Sequence, residues 1–188
     1  MADFKVAYDI TMKIEGGYAN NPSDSGGETW KGIARKKNPN WAGWSVVDEF
    51  KSKPGFPANL KDAAGLQEIV LLFYKKQYWD TLNLDKINNQ NIANEMFDTG
   101  VNMGQAMAGS FLQRALNIAN INGKNYPDLS VDGVIGNKTV DVLNNQADQK
   151  LVLKLLNILQ GSRYVSICES NPSQEIFLRS WMSRVEAY

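Results

Sequence analysis

Glu15 ends the first amphipathic stretch of the chain and is followed directly by Gly16 and Gly17. A carboxyl at a helix C-terminus faces the negative pole of the helix dipole, which disfavours its ionised form and favours the proton-bearing acid. Asp24 follows nine residues later in the turn-rich segment Asn-Pro-Ser-Asp-Ser-Gly-Gly-Glu-Thr, and Glu28 and Thr29 close that segment. Two carboxyls that converge from separate elements, one protonated and one ionised, can protonate a leaving oxygen while stabilising or hydrating the cation left behind. Thr29 can position a water, and Glu28 can replace Asp24 as the second carboxylate. Each residue also has a plain reading. Glu15 reads as a solvated acid before a glycine stop, Asp24 as an Asx-turn residue bonded to its own backbone, and Glu28 and Thr29 as exposed loop positions.

Composition narrows the chemistry further. The chain has no histidine and one cysteine, which removes Ser-His-Asp hydrolysis, Cys-His chemistry and the ordinary zinc sites together. No cofactor or metal is expected. Carboxylates are then the main groups able to move protons near neutral pH, with lysine and tyrosine as less usual substitutes. Twenty basic side chains balance 20 acidic ones. No net field therefore draws the protein to nucleic acid or anionic lipid, and partner recognition must be local. Cys168, beside Val165 and Ile167, reads as a small buried hydrophobe.

The elements that must carry these residues follow from periodicity. A chain of 188 residues supports one globular domain, or two small lobes sharing a core. Phe4, Ala7, Tyr8, Ile10, Thr11 and Ile14 recur at helical spacing up to the Gly16-Gly17 stop. From Tyr18 to Pro57 the chain is dense in Gly, Pro, Asn and Asp, with a helical period only over Trp30 to Lys37. This predicts an irregular lobe with a short hairpin. A helix is expected from an Asn59 cap to Trp79, burying Leu66, Ile69, Val70, Phe73 and Tyr74. One helix or two are expected over 91–120, with Phe97, Val101, Ala108, Leu112 and Ala115 on one face. A glycine-rich turn then leads into a short helix, a long helix follows over 147–167, and a last one is capped by Asn171 with Pro172 in its first turn. The fold class is mainly α with a small irregular or β-containing lobe. The longest apolar run in a helical pattern, Ile69 to Tyr74, is far short of the ~20 residues that span a bilayer, and residues 1–17 lack the pattern of a signal peptide. The expectation is a protein made in the cytoplasm, without membrane insertion, that reaches any outside substrate by release or non-standard export.

The segment IEGGYANNPSDSGGETWKGIA resembles the N-terminal signature of glycoside hydrolase family 108, a family of N-acetylmuramidases, in its Glu-Gly-Gly-Tyr start, Asn-Pro turn and Gly-Gly-x-Thr element. It departs from that pattern at Trp30 and Lys31. FDTGVNMG over residues 97–104, FLQRALN followed by VDGVIGNKTVDVL, and the closing RSWMSRV are similar to later parts of the family's sequences, so the resemblance covers nearly the whole chain. It implies a lysozyme-like helical fold, with an N-terminal catalytic segment over 1–90 and a peptidoglycan-binding-like segment over 91–188 packed into the same globule. It also implies peptidoglycan glycan strands as substrate and hydrolysis of the β-1,4 bond between N-acetylmuramic acid and N-acetylglucosamine; a monomer is expected. By analogy with related lysozymes, Glu15, Asp24 and Thr29 form the catalytic trio.

Substrate contacts are expected from Tyr18, Asn20 and Glu28 and from Asp98, Asn102 and Gln105. The last three lie at i, i+4 and i+7, so a helix places them on one polar stripe, which reads either as the border of a glycan cleft or as a solvated face. Trp30, Trp41 and Trp44 are candidates for stacking on sugar rings or for ordinary packing. A lytic transglycosylase, a non-catalytic peptidoglycan-binding module and a helical adaptor that assists secretion stay open beside the hydrolase.

Overall fold

The computed structural model describes residues 1–12, 17–20 and 26–185. Their contacts divide the chain into two units, Tyr8–Gln77 and Met1–Ala7 with Tyr78–Tyr188. The fold is mainly α and lysozyme-like in class: eight α-helices and one three-stranded antiparallel sheet among the described residues. Helix α1, Phe4–Met12, begins the chain.

In the unit Tyr8–Gln77 the expected hairpin is a sheet of β1 (Tyr18–Asn20), β2 (Glu28–Trp30) and β3 (Ile33–Ala34), in that order. Lys31 and Gly32 join β2 to β3 with φ of 44° and 78°. Positive φ at both central residues defines the tight turn whose twist matches the flanking strands, and glycine supplies it without strain. The helical period read over Trp30 to Lys37 therefore belongs to a hairpin. The helix in this region is instead α2, Gly43–Lys51, which has no side-chain cap at Ala42 and buries little beyond Gly43, Trp44 and Val47. Such a short apolar stripe gives little periodic signal.

The single helix expected over 59–79 is broken. A 3-10 turn spans Ala58–Asp62, Gly65 turns with φ 73°, α3 runs Leu66–Tyr74, and a π turn covers Lys75–Trp79. Asn59 is no cap, because its amide donates to the Pro54 carbonyl at 3.1 Å inside the 3-10 turn. Leu66, Val70 and Tyr74 are buried as expected, whereas Ile69 and Phe73 are half-exposed. The Tyr74 hydroxyl donates to the Lys31 carbonyl at 2.7 Å and Lys31 Nζ donates to Gln67 at 2.7 Å. These bonds tie the hairpin turn to α3.

The second unit is a helical assembly. Helices α4 (Gln90–Met103) and α5 (Gln105–Ala119) are separated at Gly104, whose φ of 90° only glycine adopts readily. Asn89 caps α4 by accepting from the backbone of Asn91 and Ile92. Then come α6 (Asn137–Asn144) and α7 (Gln149–Ser170). Asn171 and Pro172 start a 3-10 turn, which leads into α8 (Leu178–Val185). Phe4, Trp79 and Phe97 meet edge to face at centroid distances of 5.6 to 6.1 Å; Trp79 and Phe97 are buried, and burying such a ring fully contributes roughly 1.5–3 kcal/mol. Cys168 is a free, buried cysteine. Among the described residues no helix is long and apolar enough to cross a membrane.

Candidate active site

Of the three residues expected to be catalytic, Glu15 and Asp24 lie outside the described residues, and Thr29 is the member whose surroundings are seen. It occupies the middle of β2, opposite Ala19 of β1 and Ala34 of β3. Its hydroxyl donates to the Gly27 carbonyl at 3.2 Å. A hydroxyl has one donor and two acceptor lone pairs, so this bond leaves the oxygen able to accept from a water.

Strand pairing also places Tyr18 opposite Trp30 and Asn20 opposite Glu28. Asn20 is exposed at the end of β1. The Tyr18 ring meets Phe56 edge to face at 4.7 Å, and its hydroxyl donates to Glu28 Oε1 at 2.8 Å. Burial, with the Glu28 carboxylate next, makes the phenol a weaker acid than usual.

Glu28 is the hub of this lobe. Lys51 Nζ reaches Oε1 at 2.6 Å, and Arg35 Nε lies 3.0 Å from Oε2 at ion-pair distance but outside hydrogen-bond geometry. Arg35 continues to Asp48 at 2.7 Å and stacks over Trp44 at 4.6 Å. With 10% of its side chain exposed and both oxygens engaged by neighbours, Glu28 reads as the anchor that ties β2 to β1 and α2. That geometry disfavours it as a stand-in for Asp24. The tryptophans separate as well: Trp30 and Trp44 are buried at 5% and 4% exposure, while Trp41 is half-exposed.

In the other unit the expected polar stripe does not form as such. Asp98 is 3% exposed. Its Oδ1 accepts from Arg184 at 2.8 Å and its Oδ2 from Gln160 at 3.2 Å, so it faces the interior. The physical reason is that a buried cation from α8 compensates the buried carboxylate, which spacing along α4 does not reveal. Asn102 is exposed with its amide donating to the Asp98 carbonyl at 2.8 Å, and Gln105 is half-buried.

The interior around Asp98 holds a group that the sequence reading missed. Glu95, 1% exposed, accepts from the Thr99 hydroxyl at 3.3 Å. Burial, followed by the nearby Asp98 charge, pushes its pKa up to about 8. The signal was available, since Glu95, Asp98 and Thr99 share one helix face with the apolar Ile92 and Met96.

Residues 8–104 match the sequence model described as Glycosyl hydrolase 108. Residues 107–186 match one described as Predicted Peptidoglycan domain. The comparison with curated proteins finds no match. Among solved structures, SagA of Brucella abortus is similar with a TM-score of 0.60 at 22% identity, over 97% of this chain and 88% of that one; at this identity the likeness concerns the fold alone. The boundary between the two matched segments falls at Gly104, inside the second unit, so residues 78–104 of the first segment fold with the second.

Proposed function

Because the chain belongs to the glycosyl hydrolase 108 family and joins that segment to a peptidoglycan domain, as a peptidoglycan hydrolase, we propose that it is an N-acetylmuramidase. It cleaves the β-1,4 bond between N-acetylmuramic acid and N-acetylglucosamine. The observation that carries the reading is the family match over residues 8–104, which spans Glu15, Asp24 and Thr29. In this mechanism Glu15 donates its proton to the glycosidic oxygen as the bond to the anomeric carbon lengthens. Asp24, ionised, faces the cation that develops at that carbon, either stabilising it or activating the water that captures it. Thr29 orients the water through the lone pairs that its bond to Gly27 leaves open. Tyr18 and Asn20 line the sugar path along β1, and the wall is reached after release or non-standard export.

The test is digestion of isolated cell walls by the purified protein, with mass analysis of the released muropeptides. Reducing N-acetylmuramic acid ends support the muramidase. Anhydro ends turn the assignment to a lytic transglycosylase, and binding without release turns it to a wall-binding or adaptor role.

A further inference from the structure

A cavity of about 600 Å³ in the unit Tyr8–Gln77 lies between the loop after β3 and helix α3. Its apolar wall is Trp41, Phe73, Ile69 and Leu72. Leu72 is 65% exposed, and Ile69 and Phe73 are the two stripe positions that α3 leaves partly open.

Trp41 is held rigidly. Its six-membered ring lies so close over Gly43 that a Cβ there would be 2.2 Å from the ring. Trp44 meets it edge to face at 5.0 Å and Phe73 at 6.2 Å. Trp44 is fixed in turn by its indole N–H donating to the Asn38 carbonyl at 2.7 Å. An aromatic face fixed before any ligand arrives costs little entropy to use.

Charge completes the site. Lys37 and Lys76 line the cavity and are exposed, and no Asp or Glu is among the residues lining it. In a chain of zero formal net charge, this pocket has a local excess of two positive charges. A ligand suited to it has a flat apolar face for Trp41, amide groups for the Asn38 and Asn40 rim, and a carboxylate for the lysines.

We propose that this pocket binds the acidic sugar-peptide unit of peptidoglycan, with an N-acetylated sugar on Trp41 and a lactyl-linked peptide carboxylate toward Lys37 and Lys76. The assignment rests on the peptidoglycan reading above and adds a contact that the catalytic trio does not provide. The pocket lining includes neither Thr29 nor Glu28.

The experiment titrates the full chain with N-acetylglucosaminyl-N-acetylmuramyl tetrapeptide, a fragment without the bond that a muramidase cuts. The Trp41 indole resonance, assigned through Trp41→Phe, is followed by NMR. The expected result is a saturable shift of that resonance and an affinity lowered about tenfold in the Lys37→Glu/Lys76→Glu variant, with a neutral N-acetylglucosamine oligomer weaker and indifferent to the charge reversal. Both lysines are exposed, so the variant should fold as the wild type does. An unmoved Trp41 resonance at saturating fragment overturns the proposal, as does equal affinity after charge reversal. Wall digestion by the wild type is scored separately. Hydrolysis without a Trp41 shift removes the pocket and leaves the muramidase; a Trp41 shift without hydrolysis does the reverse.

Discussion

Arg184 donates to Asp98 across 86 positions of sequence, at 2.8 Å, with side chains 6% and 4% exposed. The pair joins α8 to α4 and so fastens the last helix of the peptidoglycan-domain segment to a helix of the glycosyl hydrolase segment. Removing one member leaves an uncompensated buried charge, which costs about 3–5 kcal/mol. Arg184→Met should therefore lower unfolding stability by that amount, read from urea denaturation. Pairing it with Asp98→Leu should recover most of the loss. If Asp98→Asn weakened glycan binding while stability stayed at the wild-type value, Asp98 would be a ligand-facing residue after all.

The same interior sets a pH dependence. The groups facing Glu95 are the Asp98 charge and the Thr99 hydroxyl, and Tyr164 beside them feels Asp98, Arg184 and Glu95. The folded carboxyl has a pKa raised from 4.5 to about 8, so the folded state holds a proton that the unfolded state gives up in between. This contribution to stability is fully present below about 4.5 and is lost as pH rises toward about 8. The slope is at most ~1.4 kcal/mol per pH unit. Glu95→Gln should flatten that part of the stability profile, and an unchanged slope in the variant would assign the proton elsewhere.

Gly109 of α5 and Gly133 of the following loop approach so closely that a Cβ on Gly109 would lie 2.1 Å from the Gly133 carbonyl oxygen. Gln113 holds the loop there, donating to Asp132 at 2.7 Å and accepting from the Gly133 N–H at 2.8 Å. Because the obstacle is backbone, Gly109→Ala should destabilise by about 3 kcal/mol. A thermal midpoint within a degree or two of wild type would mean that α5 and the loop can separate at little cost.

The sequence made the helices of the second unit legible because their signals are local. Asn171 caps, and the apolar positions of α4 and α5 recur at helical spacing. In the first unit the deciding contacts are distant. The Trp30 to Lys37 stretch turns at Lys31 and Gly32, and Tyr74, 43 residues away, holds the turn by donating to the Lys31 carbonyl. Spacing put Asp98, Asn102 and Gln105 on one stripe, but the Gly104 break moves Gln105 onto α5, and spacing could not show that α8 delivers Arg184 to Asp98. Likewise Trp30, Trp41 and Trp44 are alike as candidates in sequence, and packing separates them: Trp30 and Trp44 are buried, while Trp41 lies half-exposed over Gly43.

Asp24 separates the two ways a family member could use Glu15. Under the muramidase proposal the charge of Asp24 matters chiefly when the anomeric carbon becomes cationic. Asp24→Asn should therefore reduce turnover about 10²–10⁴-fold, comparable with the loss of a general acid in Glu15→Gln, while wall binding changes little. Circular dichroism should show both variants folded, since each amide matches the shape of its carboxyl. If Asp24 only shapes its turn, asparagine makes the same Asx bond and the variant keeps most of its activity. Near-normal turnover with anhydro products would make Glu15 both acid and base, as in a transglycosylase. Near-normal turnover with reducing ends would require another carboxylate. Glu28 is then the first to test, although freeing it means breaking contacts to Tyr18, Lys51 and Arg35. Glu28→Gln should accordingly lower the thermal midpoint as well as activity, whereas Asp24→Asn should lower activity alone.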